Sequence, residues 1–162
     1  MENTKGKKSV RSVPEGFHTV TPFLIAENAS KLIEFMNNAF GGELTFILED
    51  ENKKVEHAAV KIGNSVIMLA DAMDEMEPQT SMLFIYVDNA DEVYKKAVQA
   101  KAKPVREVLD EFYGDRAGCV KDDWGNTWWI ATHIEDVEKD ELARRAKQFK
   151  KEHRAKRDEV HA

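Results

Sequence analysis

The chain has 162 residues, of which 42% are hydrophobic and 33% charged, with a formal net charge of -6. That is enough apolar material for one globular unit or two small modules sharing a core, and the acidic balance disfavours nonspecific nucleic-acid binding. No apolar run is long enough to span a bilayer and none forms a secretory signal core; the single cysteine, Cys119, rules out an internal disulfide framework, and the expectation is a cytoplasmic protein.

Residues 1–13, with Lys5, Lys7, Lys8 and Arg11, read as a basic disordered arm. A first module is expected over 14–71. Residues 17–26 are β-branched and aromatic and predict a strand. Asn28 is placed to cap the helix that follows, whose Leu32, Ile33, Met36, Ala39 and Phe40 fall on one face. Gly41-Gly42 stops that helix. Strands are predicted at about 43–50, 55–62 and 65–71, separated by Glu51-Asn52-Lys53 and Gly63-Asn64. Residues 72–80 form an acidic, Met-rich linker.

A second module, 81–134, runs the same course. Residues 82–87 predict a strand, and Asn89 with Glu92 three residues on forms a capping box. Val93, Tyr94, Ala97 and Ala100 are the buried stripe of the helix. Beyond Pro104, strands are expected at about 105–111, 116–121 and 127–133. The turn Asp122-Asp123-Trp124-Gly125-Asn126 requires Gly125 at positive φ. From 135 to 162 the composition shifts to Glu, Lys, Arg and Ala, with Leu142, Ala146, Phe149 and His153 as a narrow stripe, which predicts a charged peripheral helix over 136–158. Its basic last turns read as a solvated face.

The two modules are copies. Leu24-Ile25-Ala26-Glu27-Asn28-Ala29 returns as Ile85-Tyr86-Val87-Asp88-Asn89-Ala90, sixty-one residues later, and Gly63-Asn64-Ser65 is answered by Gly125-Asn126-Thr127 at an offset of sixty-two. The expected architecture is α+β: two βαβββ modules forming curled mixed sheets around a cavity, with two half-sites related by a pseudo-twofold axis, plus a C-terminal helix.

This duplicated unit resembles the vicinal oxygen chelate superfamily (glyoxalase, bleomycin resistance, dioxygenase) over about 14–134. The stretches that carry the resemblance are Thr21-Pro22-Phe23-Leu24-Ile25, the run from Lys61 to Asp71, Phe112-Tyr113-Gly114-Asp115-Arg116-Ala117-Gly118, and the run from Ile130 to Val137. They are similar to the PhnB-like branch. The resemblance implies a homodimer in which paired modules complete each site. It also implies, in metal-dependent members, one His, Gln or Glu ligand on the first and one on the fourth strand of each module.

Aligned by helices and turns, those four positions hold Thr21 and Met68, then Met82 and Trp129; the alternative offset offers Leu83 or Ile130. A thioether suits a hard divalent ion poorly and an indole is no ligand, so the residues call for no metal and no cofactor. His57 and His133 are the candidates for a displaced ligand, and the bland reading makes them surface or rim histidines.

By period-two alternation one strand face carries Thr21, Phe23, Met68, Ala70, Met82, Phe84, Tyr86, Trp129 and Ala131, while the other carries Leu24, Ile67, Leu69, Leu83, Ile85, Val87, Trp128 and Ile130. The second set is aliphatic and suits packing under helices. The first is aromatic and Met-rich and suits a flat apolar ligand, or fills its own cavity. Tyr113 and Arg116 stand at the expected mouth. Arg116 is a candidate for an anionic ligand group, or for an ion pair holding the turn. The candidate ligand-binding set is therefore Thr21, Phe23, His57, Met68, Met82, Phe84, Tyr86, Tyr113, Arg116 and Trp129, with no catalytic residue assigned. The leading reading is a protein that binds, and sequesters, an unidentified aromatic or cationic small molecule, cations being steered by the net charge. The alternatives are a glyoxalase-like lyase or isomerase, or a dioxygenase-type enzyme, and an interaction module built on the charged helix.

Overall fold

The computed structural model describes residues 10–160, with side chains through Arg154. Most of the expected basic arm, and the side chains of Lys156 and Arg157, lie outside the described residues. The element order is β1 (Phe23–Ala26), α1 (Ala29–Phe40), β2 (Glu43–Glu49), β3 (Val55–Ile62), β4 (Ser65–Asp71), β5 (Met82–Tyr86), α2 (Ala90–Gln99), β6 (Lys103–Asp110), β7 (Asp115–Lys121), β8 (Thr127–His133) and α3 (Lys139–Val160). Two four-stranded sheets result, in the orders β1-β4-β3-β2 and β5-β8-β7-β6. In each, the first strand lies parallel to the fourth and the remaining pairs are antiparallel. This is the α+β, twice-βαβββ architecture with a C-terminal helix. The chain divides into two compact units, one running to Gln79 without Asn38–Phe40, the other from Thr80 on together with those three residues.

The strand registers decide between the two offsets seen in the sequence. Phe23 pairs with Met68, and Phe84 with Trp129, so both strands of the second pair lie sixty-one residues beyond their counterparts. The offset of sixty-two belongs to the turn. Ile62 pairs with Ser65 around Gly63-Asn64, whereas Lys121 pairs with Thr127 around residues 122–126.

That longer turn is built on one carboxylate. Asp122, buried, accepts hydrogen bonds from the backbone N–H of Trp124 (3.0 Å) and Asn126 (2.8 Å), from Asn126 Nδ2 (2.9 Å) and from Trp128 Nε1 (2.8 Å). Gly125 takes the expected positive φ of 86°.

Alternation sorts the two faces as the sequence predicts. Leu24, Ile67, Leu69, Trp128 and Ile130 are buried, while Phe23, Met82, Phe84 and Tyr86 are exposed. Each fully buried Leu or Ile contributes roughly 1.5–3 kcal/mol relative to exposure. In the second unit α2 lies against β6, β7 and β8. Tyr94 sits so close to Gly118 that a Cβ there would approach Tyr94 Cδ2 to 3.0 Å. Asn89 caps α2 as expected, its side chain accepting from Glu92 N–H at 3.1 Å. Gly41 ends α1 in the left-handed region.

Three expectations are corrected. The first strand begins at Phe23, not at 17: Phe17 N–H closes a turn onto Pro14 C=O, and Pro22 has no N–H to offer a ladder. Asn28 does not cap α1 with its side chain; it is left-handed at φ 58°. The cap comes from forty-two residues away. Buried Asp71 accepts from Ala29 N–H and from Val55 N–H, both at 2.7 Å, and so ties the starts of α1 and β3 to the end of β4. In the second unit the equivalent residue, Thr132, accepts from Ala90 N–H at 2.8 Å and donates to Val87 C=O at 2.9 Å. Pro104 stands inside β6 rather than before it, which an edge strand tolerates.

Candidate functional site

The second sheet carries the more developed chemistry. Cross-strand pairing places side chains in rows on the face opposite Leu83, Trp128 and Ile130. One row runs Phe84, Trp129, Cys119, Arg106; the next runs Tyr86, Ala131, Ala117, Leu109; the last joins His133 to Asp115. Phe84 and Trp129 stand nearly parallel, with centroids 6.2 Å apart and planes 10° from each other, and Phe84 meets Tyr86 at 5.2 Å. Ala131, Ala117 and Cys119 are small and buried, and the taller aromatic groups beside them form the surface of the platform. Met82, Phe84 and Tyr86 are 73%, 45% and 65% exposed.

Polar groups border this platform. The Arg106 guanidinium lies 5.6 Å from the Trp129 ring centroid, a cation–π contact. The same group forms an ion pair at 2.8 Å with Glu111, whose side chain is almost wholly buried; the approach is not aligned as a hydrogen bond. At the other end Asp115, also buried, accepts from Tyr86 Oη at 3.0 Å with one carboxylate oxygen and from His133 Nδ1 at 2.8 Å with the other. His133 Nε2 lies 2.9 Å from Asp136, which is fully exposed. The two carboxylates raise the His133 pKa above its ordinary value, the hydrogen bond to Asp115 most of all. Donation to Asp115 likewise raises the Tyr86 phenol, so it holds its proton. Tyr113 is raised chiefly by burial, and among its electrostatic neighbours are Glu111, Asp115, Arg106 and Tyr86. The Phe112–Tyr113 turn is braced from outside, where Phe112 meets Phe149 of α3 at 5.0 Å.

Of the residues singled out from sequence, Phe84, Tyr86, Trp129 and Met82 share this face, and Tyr113 borders it. Arg116 is held elsewhere. Its guanidinium donates to both oxygens of Asp91 (2.6 and 2.8 Å) and to Asp110 (2.8 Å), beside the start of α2. Arg116 is ion-paired to Asp91 at the start of α2 and to Asp110 opposite it on β6. In the first unit Phe23 pairs with Met68, and His57 is flanked by the Phe23 and Phe46 rings at 5.7 and 5.8 Å. Thr21 precedes β1 and donates to His18 C=O at 3.1 Å. The sequence assigns no site role to Arg106 or Glu111, and shows Asp115 only within the stretch 112–118. Counting β7 against β8 through the 122–126 turn would have set Asp115 opposite His133.

Thr21, Met68, Met82 and Trp129, at the four positions where the resemblance leads one to expect metal ligands, are a donor set that suits a divalent cation poorly. His57 lies between two rings, and the two nitrogens of His133 face different carboxylates. Among the described residues no three His, Cys, Asp or Glu side chains converge.

The fold and this face define a duplicated βαβββ protein with an open aromatic sheet face. Residues 16–130 match the family model of the Glyoxalase/Bleomycin resistance protein/Dioxygenase superfamily, and the chain belongs to that superfamily. Relatives at 27% identity over 134 residues include the uncharacterised proteins Mb0911c of Mycobacterium bovis and Rv0887c of Mycobacterium tuberculosis, covering 76% of this chain and 88% and 79% of theirs. Among solved structures, TioX of Micromonospora sp. ML1 aligns with a TM-score of 0.60 at 18% identity, over 71% of this chain and 99% of that one. A Bacillus cereus PhnB protein, described as a putative 3-demethylubiquinone-9 3-methyltransferase, aligns at 0.59 and 21%, with the same coverage. At these identities the likeness shows the fold alone. Among the described residues no helix is long and apolar enough to cross a membrane.

Proposed function

We propose that the protein binds a planar, largely apolar small molecule on the open face of its second unit, without a metal at the four family ligand positions. The observation that carries this reading is the near-parallel Phe84–Trp129 pair with Tyr86 beside it: Phe84 and Tyr86 are exposed and Trp129 is half-buried, above the buried Ala131, Ala117 and Cys119. Aromatic rings that fill a core bury themselves, whereas Phe84 and Tyr86 stay exposed. The test is calorimetric titration with biphenyl-4-methanol, an uncharged two-ring probe. Binding that weakens about tenfold or more in Trp129→Ala and in Phe84→Ala supports the reading; binding indifferent to both substitutions contradicts it.

The same reading includes a homodimer. Edge strand β2 exposes Leu44, Phe46, Ile47 and Leu48, on both its faces, and an apolar edge of this kind is normally covered. Sedimentation should give about twice the 18.5 kDa of one chain; a monomer at micromolar concentration contradicts it. An enzymatic reading has one observation in its favour: His133, oriented by buried Asp115 beside Tyr86, is a group capable of general acid–base work. Turnover of a carbonyl or vicinal-oxygen substrate, abolished by His133→Gln, would establish it.

A further inference from the structure

Resting on the binding reading above, we infer that the ligand is an aromatic acid whose carboxylate or equivalent anion is received by His133 in place of Asp136. Asp115 is buried, and each of its oxygens already accepts one hydrogen bond, from Tyr86 and from His133. Glu111 is buried against Arg106. The acceptors at this end of the face are thus spent or shielded, apart from Asp136. The groups still able to reach a ligand are donors: His133, whose side chain is 51% exposed, and the remaining N–H groups of Arg106, at 37%.

Asp136 shows what His133 Nε2 accommodates. A freely exposed carboxylate already sits 2.9 Å from it, and nothing else holds that side chain among the bonds of this cluster. A ligand carboxylate would make the same charge-assisted contact while its rings cover the platform. The spacing fits. From the row of Trp129 to that of His133 is four residues along β8, about 13 Å at the rise of a strand, the reach of two aromatic rings with an acid group.

The charged groups that act on His133 are Asp115 from β7 and Asp136 beyond β8; Tyr86 from β5 shares Asp115 with it, and Tyr113 and Glu111 of the β6–β7 turn are neighbours of one another. Arg116 is turned to Asp91 and Asp110, and Glu135 is bound to Arg145. The chain's net charge of -6 acts against an anion at long range. Screening over about 8 Å at physiological salt leaves the contact groups to decide.

The test is calorimetry with three probes of one shape: biphenyl-4-carboxylate, biphenyl-4-methanol and 4-(aminomethyl)biphenyl, at pH 6 and pH 8.5. The carboxylate should bind about tenfold tighter than the alcohol at pH 6, with the advantage shrinking at pH 8.5 as His133 loses its proton. In His133→Gln the acid and the alcohol should bind equally at both pH values. In Asp136→Ala, which removes the competing carboxylate, the acid should bind severalfold tighter at pH 6. Tighter binding of the amine, or an acid preference that survives His133→Gln and ignores Asp136→Ala, would overturn the inference while leaving platform binding intact. Failure of all three probes would overturn both.

Discussion

Replacing Asp122 by alanine removes the acceptor of four hydrogen bonds, three of them from buried donors: Asn126 N–H, Asn126 Nδ2 and Trp128 Nε1. An alanine leaves no oxygen and admits little water, because Asp122 and Asn126 are each nearly inaccessible. A buried donor left unpaired costs roughly 1–3 kcal/mol. With partial relaxation of the turn the sum is about 3–6 kcal/mol, a large part of the stability of an ordinary domain, and about 10 °C or more in Tm. The neighbour Asp123 is exposed and makes an internal control, since Asp123→Ala should stay within about 0.5 kcal/mol. The assay is urea denaturation followed by tryptophan fluorescence. Trp124, Trp128 and Trp129 all lie in the second unit, so the signal reports that unit. If Asp122→Ala falls within 1 kcal/mol of Asp123→Ala, the turn does not depend on this carboxylate and the account of how β8 is held in register is wrong.

Other expectations follow from the same reasoning. Asp71→Ala should destabilise the first unit by about 2–5 kcal/mol, since Ala29 and Val55 N–H groups both lose a buried acceptor; hydrogen exchange at those two amides reads it directly. Gly114→Ala forces a side chain into a residue at φ 97°, against the carbonyl of Glu135. It should break the two hydrogen bonds that Gly114 C=O accepts from Ile134 and Glu135 N–H, seen as lost amide protection there. An NMR titration of His133 should give a pKa above that of an ordinary histidine, with Asp115→Asn lowering it most. The raised folded-state value means that this group's stabilisation is complete below the unfolded pKa and disappears as pH rises through the folded one. Stability should therefore fall with rising pH across that window, and less so in Asp115→Asn. Phe149→Ala should release α3 from Phe112, measured as faster exchange over 139–154.

What the sequence made legible was periodic or local. Alternation placed Phe84, Tyr86 and Trp129 on one face and Trp128 and Ile130 on the other, and Asn89 and Gly125 took the conformations their types favour. What it concealed was nonlocal. The α1 cap comes from Asp71, brought forty-two residues back by the parallel pairing of β1 and β4, and no local signal marks it over Asn28. Arg116 sits next to Asp115 in sequence but on the other side of the sheet, so the two serve different networks. Arg106 reaches Trp129 only across Cys119, after a register shift in β6. The metal positions are a different case. There the expectation rests on side-chain types alone.

The most direct test of the central claim is to map the binding face itself. Uniformly labelled protein titrated with biphenyl-4-carboxylate at pH 6 should shift the NMR signals of Phe84, Tyr86, Trp129 and His133, and should do so together at one dissociation constant. Shifts confined to other surfaces, with the Trp129 indole and His133 ring unmoved at saturation, would contradict the account.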